Sequence, residues 1–271
     1  MTKPAARPDD FMVPVWPADF IVPDWPAPAH VRAFSTSRGL AAGGQGVFGY
    51  SAAPYQALNL GNHVGDDSAQ VSANRQLLAD CAGFTVPPLY LTQVHGTVVA
   101  DCQQALAGEV VADAAVCRGV GPAALVMTAD CLPVLFCDGE GTQVAAAHAG
   151  WRGLCDGVLE ATLMHFASPA KVMAWLGPAI GPQHFEVGSE VRAAFVAKQA
   201  AAASCFVPTA TAGKYLADIY QLARLRLQAA GVSAIYGGDT CTYANSQQFF
   251  SYRRDGQTGR QASLIWLTDK A

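Results

Sequence analysis

Two apolar runs around a glycine-rich turn constrain this chain more than any other stretch. Leu132-Pro133-Val134-Leu135-Phe136-Cys137 and Val144-Ala145-Ala146-Ala147 are separated by Asp138-Gly139-Glu140-Gly141-Thr142. Short apolar runs flanking such a turn read as the two strands of a β-hairpin. A two-residue loop at Gly139-Glu140, with Gly first, suits a type II′ turn. That register sets Asp138 opposite Gly141 and, counting outward, Cys131 opposite His148. Directly opposed residues share a face, with Cβ atoms about 4.5–5.5 Å apart. A slip of one residue would send the pair to opposite faces.

Cys131 and His148 are both metal-ligand types, and His95 in Gln93-Val94-His95-Gly96 is a third. Two imidazole nitrogens and one thiolate make a three-ligand set with a fourth position open, the arrangement of a catalytic zinc. Zinc–sulfur bonds of about 2.3 Å and zinc–nitrogen bonds of about 2.0–2.1 Å fit a pair opposed across a hairpin. His95 comes from an earlier segment, and spacing alone does not bring it to the other two. The same pair also suits metal-free chemistry, with Cys131 as nucleophile and His148 as its base. Both readings stay open at this level. Taken singly, a cysteine in an apolar strand is usually a small buried hydrophobe.

The 271 residues are 51% hydrophobic, enough for one large domain or two small ones. A net charge of −4 with 14% charged residues and no basic run excludes nucleic-acid binding as an expectation. The longest apolar stretches are interrupted well short of the roughly 20 residues of a membrane helix. Met1 to Asp10 is polar and lacks an apolar signal core. A cytoplasmic protein is expected. Its eight cysteines are then expected to be reduced, and no Cys-x-x-Cys pair suggests a zinc knuckle.

Residues 1 to 30 carry seven prolines with Phe11, Trp16, Phe20 and Trp25, and read as an extended N-terminal extension lying on a surface. Strands are predicted at 31–36, 113–116, 124–127, 172–178, 233–236 and 262–267, with another at 89–96 ending in a glycine turn. Helices are predicted at 69–83, 157–166, 189–203 (Ser189 as N-cap) and 216–231 (Gly231 as C-cap). Residues 39–54 hold five glycines and read as a long, functional-type loop with Arg38 at its mouth. Strands and helices mix without strict βαβ alternation, so the class is α+β with prominent antiparallel pairs.

Several ordered blocks carry a family resemblance. They are Leu58-Asn59-Leu60-Gly61 with Asn74-Arg75; Gln93-Val94-His95-Gly96; Thr128-Ala129-Asp130-Cys131-Leu132-Pro133-Val134; His148-Ala149-Gly150-Trp151-Arg152-Gly153; Leu176-Gly177-Pro178-Ala179-Ile180-Gly181-Pro182; Phe185-Glu186-Val187; and Phe249-Phe250-Ser251-Tyr252-Arg253-Arg254-Asp255-Gly256 with Gly259-Arg260. From about residue 34 to 267 the chain resembles the laccase-domain family, also called multicopper polyphenol oxidase, purine nucleoside phosphorylase or peptidoglycan editing factor. The family's usual Thr-Arg-x-Gly-Gly-Val-Ser stretch is here Thr36-Ser37-Arg38-Gly39-Leu40, followed by an enlarged glycine-rich loop. The resemblance implies a single catalytic domain over residues 31–271, a β-sheet sandwich flanked by helices. It implies a metal, zinc or sometimes copper, on His95, Cys131 and His148. It also implies phosphorolysis of adenosine, inosine and methylthioadenosine, with adenosine deamination alongside.

Inventory tests these implications. The only histidines are His30, His63, His95, His148, His165 and His184, with no His-x-His pair, so a four-copper oxidase site cannot be assembled. A single copper on the trio, and with it a polyphenol oxidase, stays open; zinc is the expected metal. A phosphorylase must hold phosphate, and arginine suits it because its fork binds two oxygens. The candidates are Arg38, Arg75, Arg152 and Arg253, with Asn59 for base or ribose. Asp130 is a candidate acid/base or a group that orients a histidine. The zinc-deaminase signature His-x-Glu with Pro-Cys-x-x-Cys is absent, so deamination would need another layout. The alternatives are a metal-free Cys/His hydrolase and the editing of amino-acid-linked cell-wall nucleotide precursors. The expected partners are a nucleoside and phosphate, with no membrane and no obligate protein partner, so a monomer is expected.

Overall fold

The hairpin forms, with a longer turn than the glycines suggest. The structure, a computed structural model, describes residues 16–40, 47–103 and 109–269. Pro133 lies opposite His148, Leu135 opposite Ala146 and Cys137 opposite Val144. The cause is Asp138. Its carboxylate accepts the amides of Thr142 (2.7 Å) and Gln143 (3.2 Å) and the Thr142 hydroxyl. Its carbonyl takes the Gly141 amide at 3.1 Å, with Gly141 at φ +63°. These bonds hold a wider loop in place of the tight II′ turn. The expected Cys131–His148 opposition is therefore corrected to Pro133–His148. Side chains alternate with period two, so this two-residue shift leaves Cys131 on the side of His148.

In chain order the elements begin with β1 (Val31–Ser35), α1 (Ser68–Ala82), β2 (Val99–Asp101), β3 (Ala114–Arg118), β4 (Ala124–Thr128), β5 (Leu132–Asp138) and β6 (Gln143–Ala149). They continue with α2 (Trp151–Asp156), α3 (Val158–Leu163), β7 (Val172–Leu176), β8 (Glu186–Gly188), α4 (Ser189–Lys198), β9 (Phe206–Pro208) and β10 (Lys214–Ala217). The chain closes with α5 (Ile219–Ala229), β11 (Ala234–Gly237), α6 (Tyr252–Asp255) and β12 (Gln261–Leu267). A six-stranded sheet runs β11-β7-β5-β6-β3-β2, a three-stranded sheet runs β1-β12-β4, and a small sheet runs β8-β10-β9.

Strand parity builds the layers. Val134, Phe136, Ala145, Ala147, Ala174 and Leu176 turn to one face of the six-stranded sheet and pack with Leu154, Leu159 and Leu222 of the helices. Leu135, Cys137, Val144, Ala146 and Trp175 turn to the other, against Ala33, Val126 and Ile265 of the three-stranded sheet. That sheet's outer face carries Phe34, Leu125, Leu264 and Trp266, covered by Leu78 of α1 and by Phe20 and Trp16. The result is a helix-flanked sandwich of mixed α+β class. Trp16 and Phe20 lie 4.7 and 5.2 Å from the Phe34 ring and so pack on this outer face. Phe11 and Pro14-Val15 fall outside the described residues, as does part of the glycine-rich loop.

Other expectations shift for local reasons. The helix expected from residue 157 starts at Trp151, and Gly157, at φ +109°, splits it into α2 and α3. Leu216 belongs to β10; α5 starts at Ile219, where the Asp218 carboxylate caps the Gln221 amide at 3.0 Å. Gly188, not Ser189, is the N-cap of α4, which ends at Lys198 and gives way to a 3-10 turn over Ala200–Cys205. Residues 89–96 form only isolated bridges, Leu89 with Ala124 and Thr92 with Val111. The expectation of eight reduced cysteines is also corrected. Adjacent parallel strands β2 and β3 bring Cys102 and Cys117 to a Cα–Cα distance of 5.0 Å, in disulfide range, and they are bonded. Among the described residues no helix is long and apolar enough to cross a membrane.

Phe34 is fully buried among Trp16, Phe20 and Trp266. We expect Phe34→Ala to cost about 3–5 kcal/mol in denaturant unfolding. The exposed Met164→Ala should stay within about 0.5 kcal/mol.

Candidate metal centre

One buried carboxylate assembles the site. Asp113 ends the segment leading into β3 and is fully buried. Its oxygens accept three successive backbone amides of the preceding loop, from Val94 (3.2 Å), His95 (2.9 Å) and Gly96 (2.6 Å). Oδ1 also accepts Nδ1–H of His148 at 2.8 Å, and the Asp113 carbonyl takes the His148 amide at 2.7 Å. The loop is pinned a second time by Gln93, whose carboxamide bonds both backbone groups of Met127 (2.8 and 2.7 Å). These contacts hold His95 at φ +62°, a conformation that a residue with a Cβ rarely adopts.

The outcome is the expected trio. The ligand atoms of His95, Cys131 and His148 all lie within 4.8 Å of one another. Cys131 Sγ is 3.7 Å from His95 Nε2, and the two imidazoles meet edge to face at 4.8 Å between centroids. Asp113 occupies Nδ1 of His148 and leaves Nε2 for a metal, the usual division of labour for a ligating histidine. His148 is buried, Cys131 half-buried and His95 exposed, so the group is closed on one side and open on the other. Two imidazoles and a thiol at this spacing fit a zinc-sized ion with one position free.

The electrostatics favour a thiolate. Burial pushes the Cys131 thiol up, but the His148 charge and hydrogen bonds with His148 and His95 outweigh it and bring the thiol down to about 6. Burial opposes protonation of His148, and its thiolate and Asp113 neighbours raise it to about 9 despite that. Asp113 is held below the carboxylate range: burial acts against this, but His148 and the Gly96 and Val94 amides prevail.

Glycine is required where the trio closes. A Cβ on Gly150 would lie 2.6 Å from His95 Cδ2 and 3.0 Å from Cys131 Sγ, and one on Gly153 would lie 2.8 Å from the Gly96 carbonyl. These glycines flank Trp151-Arg152, so the start of α2 can press directly against the ligands.

The remaining candidates are spread around this centre. Asp130 sits at φ +96° beside Cys131. Its carboxylate accepts Thr242 Oγ1 (2.6 Å), Ser251 Oγ (3.0 Å) and the Arg253 amide (2.7 Å), and so fastens α6 next to the ligand. Arg38 donates to the Gln56 and Ser246 carbonyls, and Arg75 clamps the Leu60 carbonyl with two bonds while lying 3.8 Å from the Tyr90 ring centroid. Asn59 is fully buried and bonds Gly61, Asp66 and the Arg260 amide, which makes it a loop brace. Arg253 donates to the Glu186 carbonyl at 2.9 Å. The Arg152 guanidinium makes no hydrogen bond among the described residues; it is exposed and lies 5.1 Å from the Trp151 ring.

Sequence reasoning missed Asp113, His63 and Arg260. His63 is held below its usual range by burial first, then by the positive charges of Arg260, Arg75 and His148, which places it in the field of the centre. Burial likewise lowers Arg260, opposed by the negative charges of Cys131 and Asp130. For Asp113 the available signal was its place at the head of a predicted strand. For Arg260 it was membership of a recognised block.

A pocket of about 200 Å³ opens at Cys131, lined also by Trp151, Ile180, Phe185, Tyr252 and Arg253 among others. A larger pocket of about 400 Å³, between Gln183, Cys205, Leu216 and Leu225, includes none of the trio in its lining.

Asp113→Asn keeps the size but places an amide NH₂ against backbone donors or against His148. We expect it to weaken zinc binding about 10–100-fold in competition with a chromophoric chelator. Gly150→Ala should also weaken binding, because His95 and Cys131 must move apart.

The chain is similar to known proteins over nearly its whole length. Residues 45–268 match the family described as multi-copper polyphenol oxidoreductase laccase. A Pseudomonas aeruginosa protein named purine nucleoside phosphorylase PA4543 is 51% identical over 96% of this chain and 99% of its own length. Purine nucleoside phosphorylase YfiH of Escherichia coli is 52% identical over 94% of this chain and 98% of its own. The crystal structure of Neisseria meningitidis protein NMB0706 superposes with a TM-score of 0.86 at 50% identity, covering 93% of this chain and all of that one. The chain belongs to the multi-copper polyphenol oxidoreductase laccase family.

Proposed function

We propose that this protein is a metal-dependent purine nucleoside phosphorylase acting on adenosine, inosine and methylthioadenosine, with adenosine deamination as a side activity. The observation that carries this reading is the pocket at Cys131, where the rings of Trp151, Phe185 and Tyr252 surround a space beside the metal ligands. Flat purines suit such walls, which offer ring faces and edges in place of a polar code. The names of the relatives support the purine nucleoside phosphorylase part of this reading.

His95, Cys131 and His148 would hold the metal, taken to be zinc, whose part is that of a Lewis acid polarising a substrate group. The protein's own residues do the rest. Asp113 orients His148 and the His95 loop. Asp130 is a positioning residue, because its bonds to Ser251 and the Arg253 amide set the pocket wall carried by α6. Arg152 is the phosphate ligand. Arg38, Arg75 and Arg253 each spend guanidinium hydrogens on backbone carbonyls, whereas Arg152 keeps its fork free among the described residues. In the reaction a phosphate oxygen attacks C1′ of the ribose, the bond from C1′ to the purine nitrogen breaks, and the base leaves with that electron pair and takes a proton. Arg152, next in the chain to the pocket residue Trp151, would hold the phosphate charge while the rings hold the departing base.

A second reading draws on the Cys131 thiol brought down to about 6 beside His148. Such a pair is also suited to a metal-free hydrolase. The two readings part on phosphate and metal. We expect purine release from inosine to require phosphate, to yield ribose 1-phosphate and to stop after chelation; Cys131→Ala should lose both bound metal and turnover. Chelator-resistant release without phosphate would select the hydrolase. Arg152→Gln should raise KM for phosphate about tenfold or more, the loss expected for a charge-assisted hydrogen bond, with little change in KM for the nucleoside.

A further inference from the structure

A second cysteine–histidine pair stands apart from the metal centre. Cys241 follows β11 and is a half-buried free thiol. Its sulfur receives the Gly181 amide at 3.2 Å and the Ala244 amide at 3.4 Å, and faces His184 Nδ1 at 3.6 Å. The His184 ring is stacked on Tyr243, 4.4 Å between centroids and 21° from parallel, so its nitrogen is held toward the sulfur. Gly181 is a close-approach glycine: a Cβ there would sit 3.0 Å from Cys241 Sγ. The backbone on both sides thus aims donors at one sulfur, and a base lies within reach of its proton.

We propose that Cys241 is a peroxide-reactive thiol, with His184 as its general base and hydroperoxides as the class of oxidant. His184 Nδ1 takes the thiol proton, and the sulfur attacks one peroxide oxygen. The O–O bond breaks, and the proton passes to the departing oxygen. Cys–SH and ROOH become Cys–SOH and ROH; sulfur loses two electrons and the peroxide gains them. The Gly181 and Ala244 amides point where negative charge gathers on sulfur as the proton leaves, the geometry of transition-state stabilisation by fixed donors.

The neighbours connect this thiol to the pocket. Thr242, the next residue, donates to Asp130, and the Ile180 amide, one residue before Gly181, donates to the Asp130 carbonyl at 2.9 Å. A sulfenic oxygen among the Gly181 and Ala244 amides would therefore sit one residue away from each group that bonds Asp130.

The test uses the metal-loaded full chain, limiting hydrogen peroxide and dimedone, with labelling resolved by peptide mass spectrometry. Cys81 of α1 is the internal control, since it is also a half-buried free thiol, and burial raises it. We expect Cys241 to be labelled at least about tenfold faster than Cys81, and His184→Asn to slow Cys241 by about tenfold or more, within the usual range for a lost general base. Equal rates at Cys241 and Cys81 would overturn the proposal, as would undiminished labelling in a His184→Asn variant with an unchanged thermal midpoint. If that variant does not fold, the comparison of Cys241 with Cys81 in the unaltered protein decides alone.

Discussion

The structure turns on the carboxylate of Asp113. A fully buried aspartate must be satisfied by donors, and here the donors are the backbone of the His95 loop and the imidazole of His148. The same bonds that remove its burial penalty bring His95 and His148 together from distant segments. Removing it would leave three amides and an imidazole N–H without their acceptor, so the loop and the His95–Cys131–His148 group stand or fall together.

The sandwich supplies the frame for that contact. β3, β5 and β6 lie side by side in the middle of the large sheet, and their small residues, Ala114, Ala145, Ala146 and Ala147, let the layers on both sides close in. His148 comes near the end of β6 and Cys131 just before β5, so both reach the same end of the sheet. The start of α2 then caps this end through Gly150 and Gly153, with no Cβ in the way. The His95–Cys131–His148 group lies at a strand terminus, and the strand interiors are filled with apolar side chains.

Much of this was legible in the residues, and the failures have physical causes. The apolar runs at 132–137 and 144–147 located the hairpin correctly, and period-two alternation kept Cys131 and His148 together even though the turn was misread. Asp138 was the reason for the misreading: a side chain that accepts three donors selects a wider loop than the glycines alone suggest. The leucine spacing of α5 runs back to Leu216 and so extends the expected helix, whereas Asp218 caps it two residues later. Asp113 could not be singled out because its partners lie 17 and 35 positions away. Nor does the sequence tell an arginine bound to carbonyls, such as Arg75, from one left free, such as Arg152.

The family's description refers to several coppers, yet the histidine inventory and the geometry converge on one three-ligand group among the described residues. In the proposed function a single metal would be held by two imidazoles and one thiolate. X-ray absorption on protein purified without added metal tests it most directly. We expect about one zinc per chain, with one sulfur at about 2.3 Å and two imidazole nitrogens at about 2.0–2.1 Å, the sulfur shell vanishing in Cys131→Ala. A metal shell without sulfur, or a sulfur shell that survives that substitution, would contradict it.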